Sequence, residues 1–203
     1  MKILKKGSRG DEVKALQRAL YLLPDGIFGT ITEEAVMAHQ KKYGLNPDGI
    51  VGPLTWDTIS RTEITLKTYR KITEIIVHCT ATKEGKNITV EDVRRLHKKK
   101  GWSDIGYHFL IYLDGAVHAG RSIDVVGAHT KGHNAYSIGV CYVGGLDTSG
   151  KAKDTRTAAQ KKSLLALLTE LKTRYPNATI HGHNEFANKA CPCFNANEEY
   201  KNI

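Results

Sequence analysis

The sequence predicts an α/β chain: a central mixed β-sheet flanked by helices, behind a small N-terminal three-helix unit. Three observations predict it. After residue 72 the strand and helix patterns run β-α-β-β-β-α-β, an order that suits a mixed sheet with helices on its faces. Before residue 60 the periodic segments are helical only, and a turn motif repeats, PDGIFG at 24–29 and PDGIVG at 47–52. Between them, RTEITLKTYRK at 61–71 is polar and β-branched without Pro or Gly, and reads as a short linker able to add an edge strand. The expected division is 1–60, a linker at 61–71, and 72–203.

Within the first unit, Val13, Leu16, Leu20 and Leu23 recur at helical spacing. Ala35, Val36, His39 and Tyr43 mark one face of a second helix. Pro53 opens a third, where its missing N–H costs nothing. Each Pro-Asp-Gly builds a tight turn around Gly26 or Gly49.

The second part begins with Ile75-Ile76-Val77, a buried strand that delivers His78 at its C-terminal end. Open α/β sheets place their ligand-binding groups at that end. Thr89 and Asp92 stand at capping-box spacing before a helix with a basic last turn closed by Gly101. Asp114-Gly115 marks a hairpin inside YHFLIYLDGAVHAG, and SIGVCYVGG is a further strand. Leucines 164, 165, 167, 168 and 171 define an amphipathic helix ended by Pro176. ATIHGH is the last strand and carries His181 and His183.

Composition narrows the function. At 203 residues, 40% hydrophobic and 25% charged, the chain is an ordinary globular sequence. It lacks the run of roughly 18 apolar residues that a membrane-spanning helix needs. MKILKKGSRGDEV offers no apolar signal-peptide core, so the expectation is cytoplasmic synthesis followed by release or export through another route. Cys79, Cys141, Cys191 and Cys193 are too few and too unevenly spaced for a disulfide scaffold, which leaves free thiols or a metal site. The net charge of +9 is concentrated late: residues 1–60 carry eight Lys/Arg against seven Asp/Glu, and 61–203 carry 22 against 14. Such a surface suits an anionic polymer or merely keeps the protein soluble. No nucleic-acid motif accompanies it, and no nucleic-acid partner is expected.

The polar residues suggest a metal. His78 and His183 each end a strand, and Cys191 follows eight residues after His183. Zinc takes imidazole nitrogen and thiolate sulfur, and three protein ligands leave its fourth position open for catalysis. His181 would share a strand face with His183 and is a rival ligand; Cys79 would point away from His78 as a small buried hydrophobe.

Residues 3–60 resemble the peptidoglycan-binding type 1 domain through Asp25-Gly26…Gly29, HQKKYGLNPDG and DGIVGPLTW. Residues 72–194 resemble the zinc-dependent N-acetylmuramoyl-L-alanine amidases of type 2, the phage-lysozyme branch related to animal peptidoglycan recognition proteins. IIVHCTAT, GWSDIGYHFLI, GAHTKGHNAYSIGVCYVGG and HNEFANKACPCF carry this likeness, in family order. The resemblance implies His78, His183 and Cys191 as zinc ligands, and it favours His183 over His181. It implies Tyr107 beside the zinc-bound water and Lys189 at the oxyanion. His129 and Asn134 would line the substrate groove, and Cys193 would be a bystander packed beneath its loop. The whole then reads as a monomeric modular endolysin that binds peptidoglycan and cuts between N-acetylmuramic acid and L-alanine. A bacterial autolysin, an exported effector, or a recognition protein that binds without cutting are the alternatives. Non-cutting relatives have generally lost the zinc cysteine, which this chain keeps as Cys191.

Overall fold

The computed structural model describes residues 2–20, 22, 24–65 and 68–203, with backbone only for 61–65. The chain divides into two compact units, Met1–Lys67 and Thr68–Ile203.

In the first unit the sequence repeat becomes a repeat of hydrogen bonds. Helices α1 (Asp11–Ala19), α2 (Thr30–Lys42) and α3 (Pro53–Thr65) enclose Leu4, Val13, Leu16, Phe28, Val36, Val51 and Ile59. Gln17 projects from α1 into the first Asp-Gly turn, where its Nε2 donates to Asp25 Oδ1 (2.7 Å), Ile27 O (3.0 Å) and Thr32 Oγ1 (3.1 Å). Its Oε1 accepts from Gly26 N at 2.9 Å. Gln40, 23 residues on, does the same to Asp48 (2.8 Å), Ile50 O (3.0 Å), Thr55 (3.2 Å) and Gly49 N (3.0 Å). Both glutamines are 2% exposed, so truncation strands buried donors and acceptors. Gln40→Ala should cost about 2–3 kcal/mol in denaturant unfolding of this unit, and Gln17→Ala a similar amount. A loss under about 0.5 kcal/mol in both would show the turns hold without them.

Three details differ from the sequence pattern. Helix α1 stops at Ala19, so Leu20 lies at its cap, and Leu23 falls outside the described residues. Tyr43 follows α2 as its C-cap and is exposed, while Val36 and His39 are buried as expected. Helix α3 runs to Thr65, into the stretch read as linker. Residues 66 and 67 lie outside the described residues, and 68–73 form no edge strand.

The second unit is built on a five-stranded sheet. Its elements are β1 (Glu74–Cys79), β2 (Thr82–Lys83), α4 (Val90–Lys99), β3 (Phe109–Ile111), β4 (Val117–Ala119), β5 (Ser137–Tyr142), β6 (Gly145–Leu146), α5 (Ala158–Arg174), β7 (Thr179–Gly182) and α6 (Ala196–Glu199). The sheet order is β4-β3-β5-β1-β7, with β3–β4 antiparallel and the other pairs parallel. The mixed sheet is thus as the sequence implied. Strands β2 and β6 pair separately in parallel; at two residues each they leave no periodic trace in a sequence.

Both long helices start on capping boxes, Thr89 with Asp92 and Thr157 with Gln160. Leu164, Leu167, Leu168 and Leu171 of α5 are buried and Leu165 is exposed. Central β1 and β5 are buried over almost their whole length, as parallel strands covered on both faces must be.

Candidate metal centre

Register brings the two histidines together. Strands β1 and β7 run parallel with Val77 opposite Gly182, so the next residues, His78 within β1 and His183 just past β7, stand side by side. Strand β7 ends one residue earlier than expected, and His183 opens a 3-10 turn, His183–Glu185. The ring centroids are 4.6 Å apart. Cys191 arrives from the following loop, its Sγ 3.8 Å from His78 Nδ1 and accepting from the Cys79 backbone N–H at 3.2 Å. Tyr142 anchors that loop by donating its hydroxyl to Pro192 O at 2.7 Å.

One ligand atom from each of His78, His183 and Cys191 lies within 4.8 Å of the others. Two imidazoles and a thiol at this spacing fit a zinc-type ion with bonds of about 2.0–2.3 Å. Burial, then neighbouring His129, His183 and Lys189, holds His78 well below the usual imidazole range. Burial and then Lys189 lower His183. Both rings are therefore kept neutral, the form that donates a lone pair to a metal.

The other expected residues gather around this point. Tyr107 packs with its ring 5.1 Å from that of His78. Burial, then the thiols of Cys141, Cys191 and Cys79, pushes its phenol well up, so it stays an O–H donor. A cleft of about 460 Å³ has His183, His129, Asn134 and Lys189 in its walls, with Trp102 and Phe186 adding aromatic surface.

Two of these residues do more than line the cleft. His129 is 8% exposed, and its Nδ1 lies 3.1 Å from His78 Nε2. Its ring sits in a slot between Gly127 and Gly139, where a Cβ would come within 2.5 and 2.6 Å of it. Asn134 turns its Oδ1 inward to accept from the amides of His129 and Thr130, both at 2.9 Å. The backbone and side chain of that loop thus orient a metal-ligand candidate.

The rivals lie elsewhere. His181 is held by Glu185 at 2.7 Å and Thr179 at 2.8 Å. Cys193 donates to Gly145 O at 3.1 Å and meets Cys79 Sγ at 3.8 Å. Trp102, Lys131 and Phe186 line the cleft without having been singled out from sequence; the motifs GWSDIGYHFLI and GAHTKGHN contain the first two.

Comparison with known proteins places the second unit in a family. The N-acetylmuramoyl-L-alanine amidase family matches residues 68–194. The chain belongs to that amidase family. A putative peptidoglycan binding domain matches residues 9–59 of the same chain. The chain is 47% identical over 125 residues to an endolysin of Klebsiella phage KP32, covering 62% of this chain and 83% of that protein. It is 51% identical over 120 residues to an endolysin of Escherichia phage T7, covering 59% and 80%. Among solved structures, the amidase LysC from Clostridium intestinale URNW superposes with a TM-score of 0.56 at 33% identity, over 65% of this chain and 84% of that one. The amidase family match begins at residue 68, four residues before the sequence-based start of the second domain.

Proposed function

We propose that this chain is a modular endolysin whose second unit is a zinc amidase, cutting peptidoglycan between N-acetylmuramic acid and L-alanine of the stem peptide. The observation that carries the metal assignment is the convergence of His78, His183 and Cys191 beside the cleft. Zinc bound there supplies a Lewis acid for the scissile carbonyl and a water that ionises near neutral pH.

The chain's own residues do the rest. With Nδ1 of His78 facing Cys191, its Nε2 carries the proton and donates to His129 Nδ1. His129 Nε2–H then points at Ser137 Oγ, 3.4 Å away, fixing both tautomers. Tyr107 positions the attacking water through a hydrogen bond from its hydroxyl. The Lys189 ammonium, close enough to lower both ligand histidines, steadies the oxyanion that forms on the carbonyl. The cleft holds the stem peptide, and the N-terminal unit, acting as a monomer's tether, keeps the enzyme on its insoluble substrate.

Zinc-loaded protein should release new L-alanine amino termini from isolated walls without new reducing sugar ends. A chelator should stop the release and added zinc restore it. No release from walls of several stem chemistries overturns the proposal, whereas release that survives full chelation overturns the zinc. A recognition module without catalysis is disfavoured because Cys191 completes the ligand set.

A further inference from the structure

The residue that organises the cleft wall most completely lies in the stretch that sequence patterns assign to the linker. Arg70 is partly buried in the second unit and directs its guanidinium at five backbone carbonyls, with Nη1 also 3.2 Å from His108 Nε2. Nη1 donates to Ile123 O at 2.8 Å and Val125 O at 3.4 Å. Nη2 donates to Asn134 O at 2.7 Å and Ser137 O at 2.8 Å, and Nε to Ala135 O at 3.3 Å. No carboxylate takes part in these bonds.

The carbonyls belong to two segments, of which one borders the cleft. Residues 134–137 end the loop that carries His129, Thr130, Lys131 and Gly132 along the cleft wall. Residues 123–125 flank His108, whose Nε2 reaches Val125 O at 3.1 Å and whose Nδ1 accepts from Gly139 N at 2.9 Å. A continuous path of bonds runs from the guanidinium through the Asn134 carbonyl, the Asn134 side chain and the His129 amide to the His129 ring and His78.

We infer that Arg70 is a positioning residue of the amidase: its guanidinium fixes the loop bearing His129 and Asn134, and through that loop the orientation of His78 and the shape of the cleft. Only a planar fork reaches five acceptors at once; an ammonium at the same place offers three donors in a different geometry. The inference rests on the amidase reading for its kinetic arm alone.

The test uses the full chain with Arg70→Lys and Arg70→Ala, held well below the unfolding temperature of each. Backbone amide exchange is followed at His129 and Thr130, the two amides that close the loop, with Ile75–Val77 of β1 as the internal reference. Steady-state kinetics are measured on a soluble muropeptide. In both variants the loop amides should exchange at least about tenfold faster while β1 is unchanged, and kcat/KM should fall by about tenfold or more. Millimolar methylguanidinium should recover part of both losses in Arg70→Ala. Loop exchange within twofold of the parent overturns the inference. So does faster exchange with unaltered kcat/KM, or equal acceleration of loop and β1, which would mean Arg70 only supports the fold. If the parent cuts no muropeptide, the amidase reading fails, and the exchange arm alone decides the loop's dependence on Arg70.

Discussion

Cys191→Ser should reduce release of L-alanine amino termini by at least about a thousandfold and drop bound zinc from one equivalent towards none. Serine keeps the size of the side chain but replaces a soft, easily ionised sulfur with a hard hydroxyl of far higher pKa, which is a poor zinc ligand. The loop should survive the change, because it is anchored by Tyr142 on Pro192 O and by Cys193 on Gly145 O. Cys193→Ser is the matched control. Its thiol, pushed up to about 12 by burial and then by Cys79, is protonated and bonded away from the centre, so zinc and activity should stay within about threefold of the parent. Metal analysis with the amino-terminus assay checks both. Zinc loss in Cys193→Ser alone would mean that the other sulfur of the C-x-C is the ligand.

Removing the Lys189 ammonium should be the next most damaging change. Lys189→Ala should lower kcat by about 10²–10³, the usual loss when one oxyanion donor is removed, with zinc retained at one equivalent. Tyr107→Phe should lower kcat by about 10² with the metal again retained, since the phenol contributes a proton-donating hydroxyl and no ligand atom. Both effects should appear in kcat far more than in KM, because Tyr107 orients the attacking water and Lys189 meets charge that exists only during reaction. Loss of zinc in either variant would place that residue in the metal's support instead.

Much of the site could be read in the sequence because it sits where strands end. His78 closes a run of β-branched residues, and His183 and Cys191 follow the last strand, so an α/β argument and a ligand-chemistry argument meet on the same residues. What could not be read was depth. His129 and Asn134, expected from the resemblance along a substrate groove, border the cleft beside the candidate ligands. Their side chains, though, are also used inward, on His78 and on two backbone amides. Periodicity cannot show that, because both residues lie in an irregular loop.

Arg70 was missed for a related reason. A cation in a polar, β-branched stretch looks like linker, and its partners are carbonyl oxygens, which every residue has. The helix boundaries at Ala19 and Thr65 differ from the pattern because end residues are decided by packing and caps rather than by hydrophobic spacing.

The three ligand candidates come from segments more than a hundred residues apart at the extremes, His78 to Cys191, joined through parallel pairing of β1 and β7. A chain lacking that pairing has no site to offer. Zinc held there, as proposed, would therefore bind the native state almost alone, and its binding free energy would add directly to folding: about 2.7 kcal/mol when free zinc is a hundredfold above its dissociation constant. The amidase unit would thus act as a gauge of its surroundings. On the zinc proposal, the unit should be hard to unfold and to digest where zinc is plentiful, and should lose activity and resistance to proteases together where zinc is sequestered.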